Sequence, residues 1–155
     1  MIPQAQIDQH LQLLEETLVH LQACRAALDE EGLTRQPAPG EWSAVEVLAH
    51  LRAYADVFSH SIFMLLLEDW PTIPYIDPNK WWDIQGYSEV PFDENLQIFE
   101  LNRRHLLRRL RDLMPSTWER YGIIKTQTRT VYGEMRRMAL HEKGHYGQIQ
   151  ALWRP

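Results

Sequence analysis

The chain has 155 residues, of which 45% are hydrophobic and 24% charged, and its net charge is −5, which suits one soluble globular domain. The acidic balance argues against a general role in binding nucleic acid or anionic membrane. The single cysteine, Cys24, excludes an intramolecular disulfide, and the sequence leads us to expect neither a membrane-spanning helix nor a signal peptide. We therefore expect one cytoplasmic domain over residues 1–155.

Apolar residues recur at intervals of three and four in four segments of the chain. Arg25 interrupts the first of these stripes and Arg103 the third. This spacing places the apolar side chains on one face of a helix, facing a core. No comparable run of alternating polar and apolar residues predicts a sheet. The sequence therefore predicts four helices, at residues 4–31, 43–68, 92–113 and 130–153.

The residues at the predicted helix ends agree with these boundaries. Gly32 can close the first helix in a left-handed conformation. Ser43 and Glu46 have the spacing of a capping box at the start of the second helix. Trp42 and Val47 flank this box as a hydrophobic staple does, so the second helix is expected to begin sharply.

The connection at residues 69–91 is long for neighbouring antiparallel helices. It contains several prolines, Gly86 and the pair Trp81–Trp82. A long crossover lets the two helices that it joins run parallel. The predicted fold is all-α: a four-helix bundle, up-down-down-up, with the long crossover between helices two and three.

His141 and His145 lie four residues apart on the predicted fourth helix, in the letter pattern H-E-x-x-H of zinc hydrolases. Both imidazoles interrupt an apolar stripe, and residues at this spacing can reach one ion. Two core histidines satisfied by hydrogen bonds are the alternative. In the bundle, the early part of helix two lies level with the late part of helix four. This topology brings His50 to the pair as the third ligand.

Two segments carry a family resemblance: PGEWSAVEVLAHL, which contains His50, and HEKGHYGQI, which contains His141 and His145. Together they resemble the DinB-like (DinB/YfiT) family of four-helix-bundle metal-binding proteins, over about residues 5 to 153. The resemblance implies that these three histidines bind a divalent metal and that the protein forms a homodimer. It also implies, from some members, transfer of a small thiol. Imidazole suits zinc, nickel, copper and iron, and we expect zinc or nickel.

Two further residues near the histidine pair are candidates for catalysis. Glu142 would be the general base of a zinc protease, but its position is rotated about 100° from the face of His141, and a solvent-facing helix residue is the alternative. Gln148 lies one turn beyond His145, where it can orient a ligand or bond the second nitrogen of a histidine. A purely structural role is the alternative for Gln148.

The remaining candidates concern substrate binding. Trp81, Trp82 and Tyr54 are candidate substrate-binding residues, and the two tryptophans can form a lid or simply fill core. Five arginines at positions 103–111 favour a solvated helix face over capture of an anion or nucleic acid.

The three histidines predict a metalloenzyme, and the resemblance to the DinB-like family implies that it transfers a small thiol to an electrophilic compound. Its expected partners are these two small molecules, with no nucleic acid and no membrane. The alternatives are a metal-dependent hydrolase and a non-catalytic stress-response or interaction bundle with a structural metal. A coordination position open to water favours an enzyme, whereas a fourth protein ligand favours a structural metal.

Overall fold

The computed structural model describes residues 1–154 and confirms the four-helix bundle with its long crossover; Pro155, the last residue of the predicted domain, lies outside this range. The helices span α1 Gln4–Ala27, α2 Glu30–Thr34, α3 Ala44–Leu67, α4 Pro78–Gln85, α5 Phe92–Arg111, α6 Val131–Gly144 and α7 Tyr146–Ala151. Helices α1 and α6 pack together, α6 also packs on α3, and α5 packs on both α1 and α3.

The first predicted helix is divided into α1 and the short α2. Helix α1 ends at Ala27, and the backbone of Leu28 is extended. The side chain of Asp29 then accepts a hydrogen bond from the amide of Gly32 and caps α2. The prediction that Gly32 closes the first helix is therefore wrong, because an aspartate begins a new helix before the glycine is reached.

The start of α3 follows the sequence prediction. The hydroxyl of Ser43 accepts from the amide of Glu46, and the carboxylate of Glu46 accepts from the amide of Ser43 at 2.7 Å, so the capping box is complete. Trp42 and Val47 belong to the same apolar cluster. This cap places the helix start less than two turns before His50.

The fourth predicted helix is divided at His145 into α6 and α7. The amide of His145 donates to the carbonyl of Glu142 at 2.9 Å, one residue closer than an α-helical bond, and its own carbonyl accepts from Ile149. The backbone of His145 stays in the right-handed helical region. One turn of the helix is therefore tightened at His145, the second histidine of the pair.

A small sheet occurs where the sequence predicted none. Strand β1, Thr72–Ile73, pairs in parallel with β2, Tyr121–Ile124, which pairs antiparallel with β3, Gln127–Thr130. Strands of two to four residues are too short to show an alternating pattern. Gly122 permits the pairing, because a Cβ there would lie 2.6 Å from the carbonyl oxygen of Pro71.

Within residues 1–154, no helix combines the length and the apolar composition that crossing a bilayer requires.

A buried ion pair joins α5 to α6. Arg103 donates to both carboxylate oxygens of Glu142, at 2.8 and 2.5 Å, and each side chain is only 1% exposed. The same guanidinium donates to the carbonyl of Leu14 on α1, and the hydroxyl of Thr17 on α1 donates to Glu142 at 2.7 Å. The interruption of the third apolar stripe at Arg103 is explained by this network, which connects α1, α5 and α6.

We predict that Glu142→Gln lowers the free energy of unfolding by about 3–5 kcal/mol, because the change leaves the charge of Arg103 buried without a counter-charge. Urea denaturation followed by circular dichroism measures it. The control is Glu100→Gln, which removes the exposed ion pair with Arg104 and is expected to cost less than about 1 kcal/mol.

The combined variant Arg103→Met/Glu142→Leu removes both buried charges, and we expect it to be more stable than either single variant. Equal and small effects of Glu142→Gln and Glu100→Gln would contradict a structural role for the buried pair.

Candidate metal centre

The structure brings the three predicted histidines to one place. His50 comes from α3, His141 from α6 and His145 from the junction of α6 with α7. The Nε2 atoms of His50 and His141 are 3.1 Å apart, and one nitrogen from each of the three rings lies within 4.8 Å of the others. His50 is buried and the other two are half-buried, so the cluster is largely shielded from solvent but a small molecule can still reach it.

The donor set fits a divalent ion. Two imidazole nitrogens bound tetrahedrally at 2.0–2.1 Å are separated by roughly 3.3 Å, close to the distance between His50 and His141. The Nδ1 atoms of His50 and His141 are buried and find no hydrogen-bond partner within residues 1–154, so these two rings lack the hydrogen bond at the second nitrogen that usually orients a metal-binding histidine. The three histidines therefore form a cluster that could hold a metal ion.

Gln148 orients the third imidazole. Its Oε1 lies 2.8 Å from Nδ1 of His145. An amide oxygen only accepts, so Nδ1 of His145 carries the proton and Nε2 keeps its lone pair. This is the hydrogen bond to a second ring nitrogen that the sequence offered as one role for Gln148, and it sets the tautomer that a metal ligand needs.

The surroundings keep two of the imidazoles uncharged. Burial, followed by the charges of His145 and His141, lowers the pKa of His50 to about 3. Burial, followed by the charge of His145, lowers the pKa of His141 to about 4. Both rings are therefore neutral at neutral pH, so an ion that binds there displaces no proton from them.

Aromatic rings enclose the cluster. Tyr54 stacks on His141, with 4.1 Å between ring centroids and 12° between the planes. The ring of Trp42 lies 4.8 Å from that of His50 and stacks on that of His145 at 6.4 Å. Sequence reasoning assigned Trp42 only to the staple; its position directly before the cap of the helix that carries His50 was the available signal.

The two predicted lid residues differ in their contacts. The ring of Trp82 meets that of His50 edge-on at 5.7 Å, and its indole N–H donates to Ser88 at 2.6 Å. Both tryptophans pack on a small cluster that includes Ala49 and Tyr87, and within residues 1–154 Trp81 makes no ring contact with the histidines. Of the predicted substrate-binding residues, Tyr54 and Trp82 thus contact the imidazoles, and Trp81 supports the crossover.

Glu142 faces away from the cluster. Both of its oxygens are engaged by Arg103, and the residue is fully buried between α1, α5 and α6. A general base must reach a proton on the substrate, and this carboxylate lacks such access. These contacts give Glu142 a structural role and lend no support to general-base catalysis.

Comparison with known proteins agrees with the geometry. A family model described as the DinB superfamily matches residues 6–149. The solved structure of YfiT from Bacillus subtilis, described as a probable metal-dependent hydrolase with an unusual four-helix bundle topology, superposes with a TM-score of 0.83. The match covers 98% of this chain and 88% of that chain at 19% identity, so it shows a shared fold. No curated protein matches the chain significantly.

We predict that the metal-free protein loses stability as the pH falls from about 6.5 to about 5. In the unfolded chain both imidazoles take up protons near pH 6.5, whereas in the folded chain the pKa values of His50 and His141 are about 3 and 4. The unfolded state therefore binds more protons in this window, and acidification favours it. Melting temperatures measured across the window by circular dichroism test this.

The double variant His50→Gln/His141→Gln should show a flatter dependence of melting temperature on pH. The matched control is His60→Gln, which removes an exposed histidine from the same helix and should keep the wild-type slope. The window lies above the range in which carboxylates titrate, about pH 4. A slope unchanged in the double variant would contradict the lowered pKa values.

Proposed function

This chain belongs to the DinB superfamily, and from this premise we propose that it is a divalent-metal-dependent enzyme that transfers a small thiol to an electrophilic compound. One observation carries the proposal. Within residues 1–154, the cluster that could hold an ion consists of His50, His141 and His145, and no cysteine or carboxylate joins it as a fourth member. Three protein ligands that leave a position for a reactant are typical of catalytic sites, whereas structural sites are closed.

A bound ion and the residues around it would have separate roles in the reaction. When bound, a divalent ion lowers the pKa of a thiol or water molecule that coordinates to it. The three imidazoles supply nitrogen ligands that zinc and nickel both accept, and we propose one of these two metals. Gln148 holds the ring of His145 in the required tautomer, and the rings of Trp42, Tyr54 and Trp82 limit the access of water.

The contacts of Glu142 favour a thiol over water as the nucleophile. Glu142, the nearest acidic residue in sequence, is held by Arg103 and is unable to take a proton from an attacking group. A thiol, with a pKa of about 8.5, ionises far more readily than water and needs less help from a base. Its proton passes to solvent, a carbon–sulfur bond forms, and the leaving group departs with the electron pair of the broken bond.

Metal-dependent hydrolysis is the second candidate. YfiT, which shares the fold, is described as a probable metal-dependent hydrolase. The same three imidazoles would serve a water molecule as the nucleophile, because an ion can lower the pKa of water to about 7. The two candidates differ in their product: the thiol is consumed in the first and is unchanged in the second.

We predict that His50→Ala lowers the metal content of the untagged protein by about tenfold or more, because two imidazoles hold an ion much less tightly than three. Elemental analysis of purified protein measures it. His60→Ala, which removes an exposed histidine of the same helix, should retain the wild-type metal content.

The same proteins are then tested for consumption of cysteine or coenzyme A in the presence of monobromobimane. We expect wild type and His60→Ala to consume thiol above the uncatalysed rate and His50→Ala to lose the excess. Full metal content in His50→Ala would contradict the metal site. Metal-loaded protein that hydrolyses an aryl ester but consumes no thiol would favour the hydrolase.

A further inference from the structure

A cavity of about 230 Å³ lies beside the histidine cluster, between α3, α6 and the crossover. Helix α3 contributes Tyr54, Phe58 and Ser61 to its wall, and α6 contributes Glu134 and Arg137. Apolar residues of the crossover and of β2 close the opposite side. The cavity is smaller than the roughly 300–1,000 Å³ of pockets for drug-sized ligands, so it suits a small molecule.

The wall of the cavity continues the two helix faces that carry the histidines. On α3, Tyr54, Phe58 and Ser61 follow His50 at intervals of four, four and three residues, which keeps them on one face. On α6, residues 137 and 134 precede residue 141 at intervals of four and three. Both rows therefore lead from the cluster into the cavity.

Tyr54 contacts both the histidine cluster and the cavity. Its ring stacks on His141 at 4.1 Å and also lines the cavity. A ligand that packs on Tyr54 in the cavity would therefore lie next to the imidazoles, with this one ring between it and His141.

The charges on the wall favour an anionic ligand. Arg137 donates to Glu134 at 2.7 Å, and its guanidinium lies 5.2 Å over the ring of Phe58. The carboxylate of Glu134, only 3% exposed, also faces Arg129 at 3.7 Å, so two arginines share one negative charge. The side chain of Arg137 is 43% exposed and has further N–H donors for a planar anion such as a carboxylate.

We infer that this cavity binds a small carboxylate with an apolar, preferably aromatic, body. The carboxylate would pair with Arg137, and the apolar body would pack on Phe58 and beside Tyr54. The inference deepens the proposed function and rests on it in one respect, since the ligand would be the electrophilic substrate. The binding itself requires no metal and can be measured separately.

The test is a titration of the full chain, followed by backbone-amide NMR, with phenylpropionate and with its uncharged amide. We expect shifts centred on Ser61, Ile124 and Arg137, and binding of the carboxylate about tenfold tighter than that of the amide, as for one charge-assisted contact at a partly exposed site. Arg137→Gln should weaken carboxylate binding about tenfold and leave amide binding unchanged.

The chain offers a matched control in Arg136→Gln, which removes the same charge from the neighbouring exposed residue outside the cavity wall. This variant should bind both ligands as wild type does. Val57→Phe, which fills the cavity, should abolish the binding of both. Amide spectra of each variant show that it is folded.

Failure of this inference is distinguishable from failure of the proposed function. Equal binding of carboxylate and amide, no effect of Arg137→Gln, or shifts centred on a separate surface cavity lined by Trp42 and Gln148 would overturn the inference. His50→Ala should bind phenylpropionate as wild type does while losing its metal. Carboxylate binding in a protein that takes up no metal would support the inference and overturn the proposed function alone.

Discussion

The buried ion pair between Arg103 and Glu142 determines the rotation of α6, and the rest of the site depends on that rotation. Both charges are almost completely removed from water, and a buried charge is tolerated only when it is paired and hydrogen-bonded. The carboxylate of Glu142 must therefore face α5 and α1, where Arg103 and Thr17 lie. Because neighbouring residues of a helix point about 100° apart, this orientation turns His141 towards α3 and His50.

Helix α6 thus has two polar faces, one charged and one neutral. Towards α1 and α5 it presents a charged group whose counter-charge is fixed in place, and this face holds the bundle together. Towards α3 it presents His141, whose imidazole burial keeps neutral with a pKa of about 4, opposite His50 of α3, whose pKa is lowered to about 3. The division explains how an H-E-x-x-H pattern can occur without protease geometry: the glutamate and the histidines belong to different interfaces of the same helix.

The interface of α3 with α6 carries the rest of the proposed chemistry. The capping box at Ser43 fixes where α3 begins, and so fixes the height of His50 and the packing of Trp42 over it. The crossover adds Trp82 from one side. Further along the same interface the rings of Tyr54 and Phe58 and the guanidinium of Arg137 line the adjoining cavity. One pair of helices therefore supplies both the nitrogen cluster and the wall beside it.

Local patterns in the sequence determined the helices, the capping box and the histidine pair, because these depend on residues within one or two turns of each other. The up-down-down-up topology, inferred from the length of the crossover, was enough to associate His50 with a pair some ninety residues away. Only the tertiary structure decided the partner of Glu142, the contacts of Trp42 and the short strands paired through Gly122. Each of these is a contact between segments distant in the chain, and no spacing within one segment encodes which distant group fills the space that packing leaves.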